Sequence, residues 1–429
     1  MDEMFVQYLW QYQQFDHRNL KTMDGREVSI LAPGTQNMDS GPDFSGARLR
    51  IDGLMWNGNV EIHIKSADWY HHKHNQDPAY NNVILHVVWQ NKGDGVSRED
   101  GTKTPTLELR NLVSEDLLLR YDKLVGSDHT IPCSAQFESI DKVYVLSMLD
   151  RVLAGRLERK SNRVNIELNH TSHDWEESTY RVLAENFGFN KNAESMIRLA
   201  HNLPLRILKK HANRMDQLEA LLFGMAGFLH GDPIDEYHDF LQKEYHFLQT
   251  KFKLNDAGLR RVNWKFSKLR PPNFPTIRLA QFALLIHKTP NLFSDLIRED
   301  NLGSFLKNVR VVQSKYWIDH FDFGKKAKKP MPGLGISSLE NVVINTFAPV
   351  LVAYSKSRDE QVFTDRALQY LQLLKPEYNR IIKKWEAVGL VPLNAFDSQA
   401  MIELNNEFCL KKKCAVCNIG SVIIGRSFK

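Results

Sequence analysis

The spacing of apolar and polar positions divides the chain into two regimes. Through about residue 125, short runs with a period of two predominate, the signature of strands whose successive side chains face opposite sides of a sheet. After an opening helical pattern on Phe5, Leu9, Tyr12 and Gln13, a strand begins at Val28, and residues 47–51 alternate small or apolar positions with Arg48 and Arg50. Asp52-Gly53 supplies hairpin chemistry before the next strand, residues 60–65. Residues 83–89 are β-branched and nearly continuous in apolar character, which predicts a central strand covered on both faces. A shorter strand follows at 106–110, then a helix through Leu117 and Leu124, with the hydrophilic stretch 91–104 as a surface loop.

From about Asp141 the period becomes helical. Val145, Leu146, Leu149, Leu153 and Leu157 recur at helix spacing, and the pattern returns at 180–187, 195–201, 205–211, 218–229, 277–286, 341–354, 367–374 and 378–385. Pro204, Gly231-Asp232-Pro233 and Pro271-Pro272 break it into helices of ordinary length. Gly224 and Gly227, inside one such pattern, are expected to let helices pack closely. Arg270 and Arg278 flank the Pro-rich corner, where Asn273 and Arg278 hold the turn by hydrogen bonds or, alternatively, the arginines line a phosphate path. The expected fold class is α+β: a mixed α/β sheet domain over residues 1–130, then a large all-helical domain over 131–429.

Composition narrows this picture. A chain of 429 residues with 42% hydrophobic and 25% charged positions builds a core and is not disordered. A net charge of +5 permits contact with phosphate backbones without requiring it. Asp2 and Glu3 stand where a signal peptide needs positive charge, and no apolar run approaches the roughly 18 residues of a membrane span. A cytoplasmic protein with no membrane partner is the expectation.

Chemistry concentrates near the start. Gly41-Pro42-Asp43-Phe44 is followed, 18 residues after the aspartate, by Glu61-Ile62-His63-Ile64-Lys65. On a strand, Glu61, His63 and Lys65 share one face, so two carboxylates and basic side chains converge. An aspartate at the start of one strand opposite a Glu-x-Lys pair on the next resembles the site of PD-(D/E)xK, or restriction-endonuclease-like, nucleases. In this sequence the lysine position holds His63, and the lysine follows at Lys65. The resemblance implies a restriction-endonuclease-like domain in which Asp43 and Glu61 bind Mg²⁺ or Mn²⁺ as hard oxygen donors, with His63, Lys65 and His74 completing a catalytic set that acts on DNA or RNA.

Five of the 16 histidines fall between positions 63 and 86. In one reading His71, His74 and Asp77 join His63 around a metal or phosphate. In the other, His86 is a satisfied core histidine and His71, His72 and His74 are partly exposed loop residues. No nucleophile elbow, P-loop, dinucleotide fingerprint or zincin helix competes with this segment.

Three of the four cysteines lie in the last 21 residues as Cys409-x4-Cys414-x2-Cys417, with Lys411, Lys412 and Lys413 between them. That spacing lets sulfurs reach one ion. Cys133, at the junction of the two regimes, is the candidate fourth ligand. Zn²⁺ and an iron–sulfur cluster both suit four cysteines, and free buried thiols are the alternative.

The segments around Gly41, Asn59 to His63, Ala67-Asp68-Trp69, Val83 to Val88, Glu185 to Asn190, Glu219 to Leu229, Leu269 to Ala280 and the cysteine tail together resemble, over nearly the whole chain, a bacterial family known only as a domain of unknown function. The resemblance implies one full-length architecture and brings no activity. Three functions therefore stand as expectations: a divalent-metal phosphodiesterase on nucleic acid; a non-catalytic binding or scaffold protein with a degenerate nuclease fold; and a small-molecule hydrolase with a histidine-rich mononuclear site.

Overall fold

The structure is a computed structural model that describes every residue except 38, 92, 94, 257 and 426–429. The chain forms two compact units. The first comprises Met1–Val152, Tyr378–Val391 and Ala400–Lys429; the second comprises Leu153–Glu377 and Pro392–Gln399. The division falls inside a long helix rather than at 130/131, and the last stretches of the chain return to the first unit. The α+β class stands: a sheet region, then predominantly helices.

In the first unit, helix α1 (Glu3–Gln11) is capped by Asp2, whose carboxylate accepts from the Phe5 amide at 3.0 Å. Strands β1 (Val28–Ala32), β2 (Thr35–Gln36), β3 (Phe44–Ile51), β4 (Leu54–Lys65) and β5 (Val83–Gln90) follow. A small antiparallel pair, β6 (Val96–Ser97) and β7 (Lys103–Thr104), lies within the expected surface loop, of which Lys92 and Asp94 are outside the described residues. Then come β8 (Thr106–Glu108) and a helix, Glu115–Val125.

The sheet order is β1-β3-β4-β5-β8, with β2 beside β3. β3 and β4 are an antiparallel hairpin turned by Asp52-Gly53, both at positive φ, in the register Phe44 opposite Val60. β4 and β5 run parallel with Glu61 paired to His86, and β5 and β8 are parallel too. The apolar run 83–89 is thus the inner strand that its continuity predicts, and Val83, Leu85, His86, Val87 and Val88 are buried. Between β4 and β5 the parallel crossover carries a short helix, α2 (Asp68–His71), and two single 3₁₀ turns, His74–Gln76 and Pro78–Tyr80.

The second unit is mostly helices but not all-helical as expected, since a short antiparallel pair, His320–Asp322 with Lys325–Lys326, lies within it. Gly224, on helix Met215–Met225, lies against the ring of Tyr245 on helix Glu236–Phe252, where an added Cβ would come within 2.1 Å of the ring; this is the close approach expected for that glycine. Arg278 turns inward, donating to Asn273 Oδ1 at 2.7 Å with its guanidinium 4.3 Å from the Phe189 ring, while Arg270 is exposed. The corner is held by the hydrogen bond, as one of the two readings expects. The helical stretch Ile336–Arg358 is long and apolar enough by length and composition to cross a membrane even though Glu340, Asn341 and Asn345 interrupt it; 67% of its most apolar window is buried within the protein, as in a core helix.

Candidate metal centre

The antiparallel register of β3 and β4 sets Asp43, just before β3, across from Glu61. The Asp43 amide donates to Glu61 Oε2 at 3.1 Å, and the Ile62 amide donates back to Asp43 Oδ2 at 2.9 Å. Gln7 of α1 donates its side-chain amide to Asp43 Oδ1 at 2.9 Å. The two acids are therefore fixed by reciprocal backbone bonds, and their positions follow from sheet pairing alone. The expected convergence of Asp43 and Glu61 is present.

Alternation along β4 puts His63 on the same face as Glu61. His63 Nε2 lies 3.6 Å from Glu61 Oε1 and 3.1 Å from His72 Nδ1. His74 Nε2 lies 3.3 Å from the same Glu61 oxygen. Ligand atoms of His63, His72 and His74 all fall within 4.8 Å of one another. Four donors bound to one ion at about 2.0–2.1 Å in a tetrahedron stand about 3.3–3.4 Å apart. The separations of 3.1, 3.3 and 3.6 Å lie near that value; the three imidazoles form the closed group, and Glu61 Oε1 stands beside His63 and His74 at its edge.

The crossover supplies the last two histidines through one unusual residue. Lys73 takes φ 63°, ψ 26°, the left-handed region that a lysine rarely occupies, and this turn lets His72 and His74 face the same point. Trp69, fully buried, donates its indole N–H to the Ser97 carbonyl at 2.9 Å and meets the His74 and His86 rings edgewise or tilted at 5.5 and 5.2 Å. Tyr80 stacks on His74 with centroids 3.8 Å apart. Behind the triad, His63 Nδ1 pairs with His86 Nε2 at 2.9 Å, the outer-shell bond that fixes tautomer and ring plane of a ligating imidazole.

Electrostatics suit a cation. Burial first, then the neighbouring Glu61 charge, pushes the Asp43 carboxyl well above the usual carboxylate range; burial pushes Glu61 up likewise. Burial pulls His63 down to about 3 and lowers His74 and His86 as well, which favours neutral rings with a free lone pair over counter-ions to the acids. His74 Nε2 is buried with no hydrogen-bond partner within bonding geometry, although a carboxylate lies beside it. Crowded acids and an orphaned imidazole nitrogen are both satisfied by a divalent ion.

Of the residues expected from sequence, Asp43, Glu61, His63 and His74 come together. Lys65 ends β4 with an exposed side chain, outside this buried group. His71 is exposed and pairs with Asp68 at 3.4 Å, and Asp77 caps the turn at Ala79, so neither joins the triad. His72, read from sequence as a loop residue, is instead a member. The His-x-His spacing of 72 and 74 was the available signal. His86 is a core histidine in position, but only one of its nitrogens is satisfied, and that by His63.

The family described as Protein of unknown function (DUF2851) matches residues 3–380. No curated protein and no solved structure matches the chain.

Proposed function

The chain belongs to the DUF2851 family, and because that membership names no activity, we propose a function from the centre itself: a metal-dependent phosphodiester hydrolase acting on nucleic acid, with the ion held by Glu61, His63, His72 and His74. The observation that carries it is the meeting of Asp43 and Glu61 across β3 and β4 with three imidazoles at ligand spacing. A bound ion supplies Lewis-acid polarisation of the phosphate and a more acidic water. Asp43 is held beside the donor set by Gln7 and the Ile62 amide, where the positive charge of a bound ion would favour its ionised form and leave it able to accept a proton from water. The donor set changes the metal expected: imidazole-rich ligation favours Mn²⁺, Fe²⁺ or Zn²⁺ over Mg²⁺.

One observation favours a second reading. Glu61, His63 and His74 are buried and only His72 of the donors is exposed, which also suits a structural ion in a binding or scaffold protein. Hydrolysis of single- and double-stranded DNA and RNA, measured with Mn²⁺, Zn²⁺ and Mg²⁺, separates the two. Wild-type cleavage abolished in Asp43→Ala, Glu61→Ala and the exposed-site variant His72→Ala supports the hydrolase. Cleavage that survives in both carboxylate variants refutes it, and a metal-loaded, folded protein that cleaves nothing favours the scaffold.

A further inference from the structure

The four cysteines are not used by the centre above. Cys133, Cys409, Cys414 and Cys417 are all free thiols, all buried, and all in the first unit. They come from separate stretches of chain that the fold brings together: Lys412, between Cys409 and Cys414, donates to the Ser127 carbonyl six residues before Cys133, and the Cys417 amide donates to the Cys414 carbonyl at 3.3 Å. Convergence of every cysteine in a 429-residue chain is not the scatter expected of thiols serving only as small hydrophobes.

The backbone around them is built for close approach. Cys409 closes a π-helical turn, Leu404–Cys409, in which the Leu410 amide reaches back to the Asn405 carbonyl. Such wide turns recur at functional sites because they displace a side chain from the regular helix face. Cys417 stands at the start of helix Asn418–Gly425: its carbonyl accepts from the Ser421 amide at 2.7 Å, and although burial pushes its thiol up, the amides of Gly420 and Ile419 at this helix start act the other way. Amide N–H groups at a helix N-terminus stabilise a thiolate. Gly420 is required there, because a Cβ would sit 2.2 Å from the Cys414 carbonyl oxygen.

Positive groups surround the sulfurs and tie the loops down. Arg151 donates to the Val416 carbonyl at 2.9 Å and Lys412 to the Ser127 carbonyl; their charges act on Cys417 and on Cys409 and Cys414 respectively.

Spacing chooses between the two ions. Zinc with about 2.3 Å bonds draws four sulfurs to roughly 3.8 Å from one another. Among the described residues the set whose ligand atoms close to within 4.8 Å of one another is the histidine triad, so the four sulfurs are spread more widely than zinc would hold them. A four-iron cluster, with iron and sulfide between its ligands, holds cysteine sulfurs farther apart. We propose that Cys133, Cys409, Cys414 and Cys417 ligate an iron–sulfur cluster that fastens the C-terminal segment to the segment around Cys133.

The test is iron, zinc and acid-labile sulfide analysis, with a visible spectrum, on the full-length protein purified without oxygen. The expected result is about four iron and four sulfide per chain with a broad visible band. Cys417→Ser should lose both, whereas His72→Ala, which touches the other centre, should keep the sulfide and the band. One zinc per chain without sulfide overturns the cluster. Four thiols in the native wild type that react with a thiol reagent, with neither metal present, overturn the site altogether. Both results are read on wild-type protein, so a variant that fails to fold does not rescue the proposal.

Discussion

Replacing Glu61 by glutamine should stabilise the metal-free protein and blunt its response to metal. Glu61 is 5% exposed, and both it and Asp43 are pushed up by burial, so the metal-free fold must either take up protons on these acids near neutral pH or hold their charge out of water, and both are costly. Glutamine keeps an oxygen for the Asp43 amide but removes that charge. Relief of a buried, uncompensated carboxylate is worth on the order of 1–3 kcal/mol, so metal-free Glu61→Gln should be the more stable protein. Metal acts in the opposite direction. At an ion concentration of about a hundred times the wild-type dissociation constant, the wild type gains about 2.7 kcal/mol. If losing this ligand weakens binding about a hundredfold, the variant gains only about 0.4 kcal/mol at the same concentration. Urea unfolding followed by tryptophan fluorescence, with chelator or with Mn²⁺, measures the four values. The expected difference in metal-induced stabilisation is about 2 kcal/mol. A variant that is destabilised without metal, or that gains as much from metal as the wild type does, refutes the reasoning.

Two further outcomes concern the second unit. Glu219 is fully buried, accepts hydrogen bonds from Tyr237 Oη and from Trp317 Nε1, and burial raises it from 4.5 to about 7. Because its folded value lies above its unfolded value, its stabilising contribution is complete below about 4.5 and is lost as pH rises through about 7, a change on the order of 3 kcal/mol. Glu219→Gln should therefore gain on the wild type between pH 5 and pH 8 in urea unfolding, with parallel curves counting against the assignment. Gly224→Ala should lower the unfolding midpoint by an amount equivalent to about 1–3 kcal/mol, since the new methyl group meets the Tyr245 ring while alanine recovers only part of this in helix propensity. An unchanged midpoint would show that the ring moves aside at little cost.

Much of this was legible in the chain because it depends on local rules. Alternation exposed the faces of β4, and hence the shared direction of Glu61 and His63; the continuous run 83–89 marked the inner strand; Asp52-Gly53 marked the hairpin that brings Asp43 to Glu61. What escaped depends on geometry without a period. Alternation also puts Lys65 on the face of Glu61, but the strand ends there, and the lysine reaches solvent. The inward turn of His72 rests on left-handed Lys73, a conformation that no composition signals. The return of residues 378–391 and 400–429 to the first unit is a long-range pairing, for which the matching cysteines at 133 and 409–417 were the sole sequence hint.

The central claim is that Glu61, His63, His72 and His74 hold one divalent ion. Electron paramagnetic resonance of chelator-treated protein titrated with Mn²⁺ and labelled with ¹⁵N-histidine tests it most directly. One tightly bound ion per chain is expected, coupled to imidazole nitrogen in the wild type and losing part of that coupling in His72→Ala. Binding without nitrogen coupling, or coupling unchanged in His72→Ala, would contradict it.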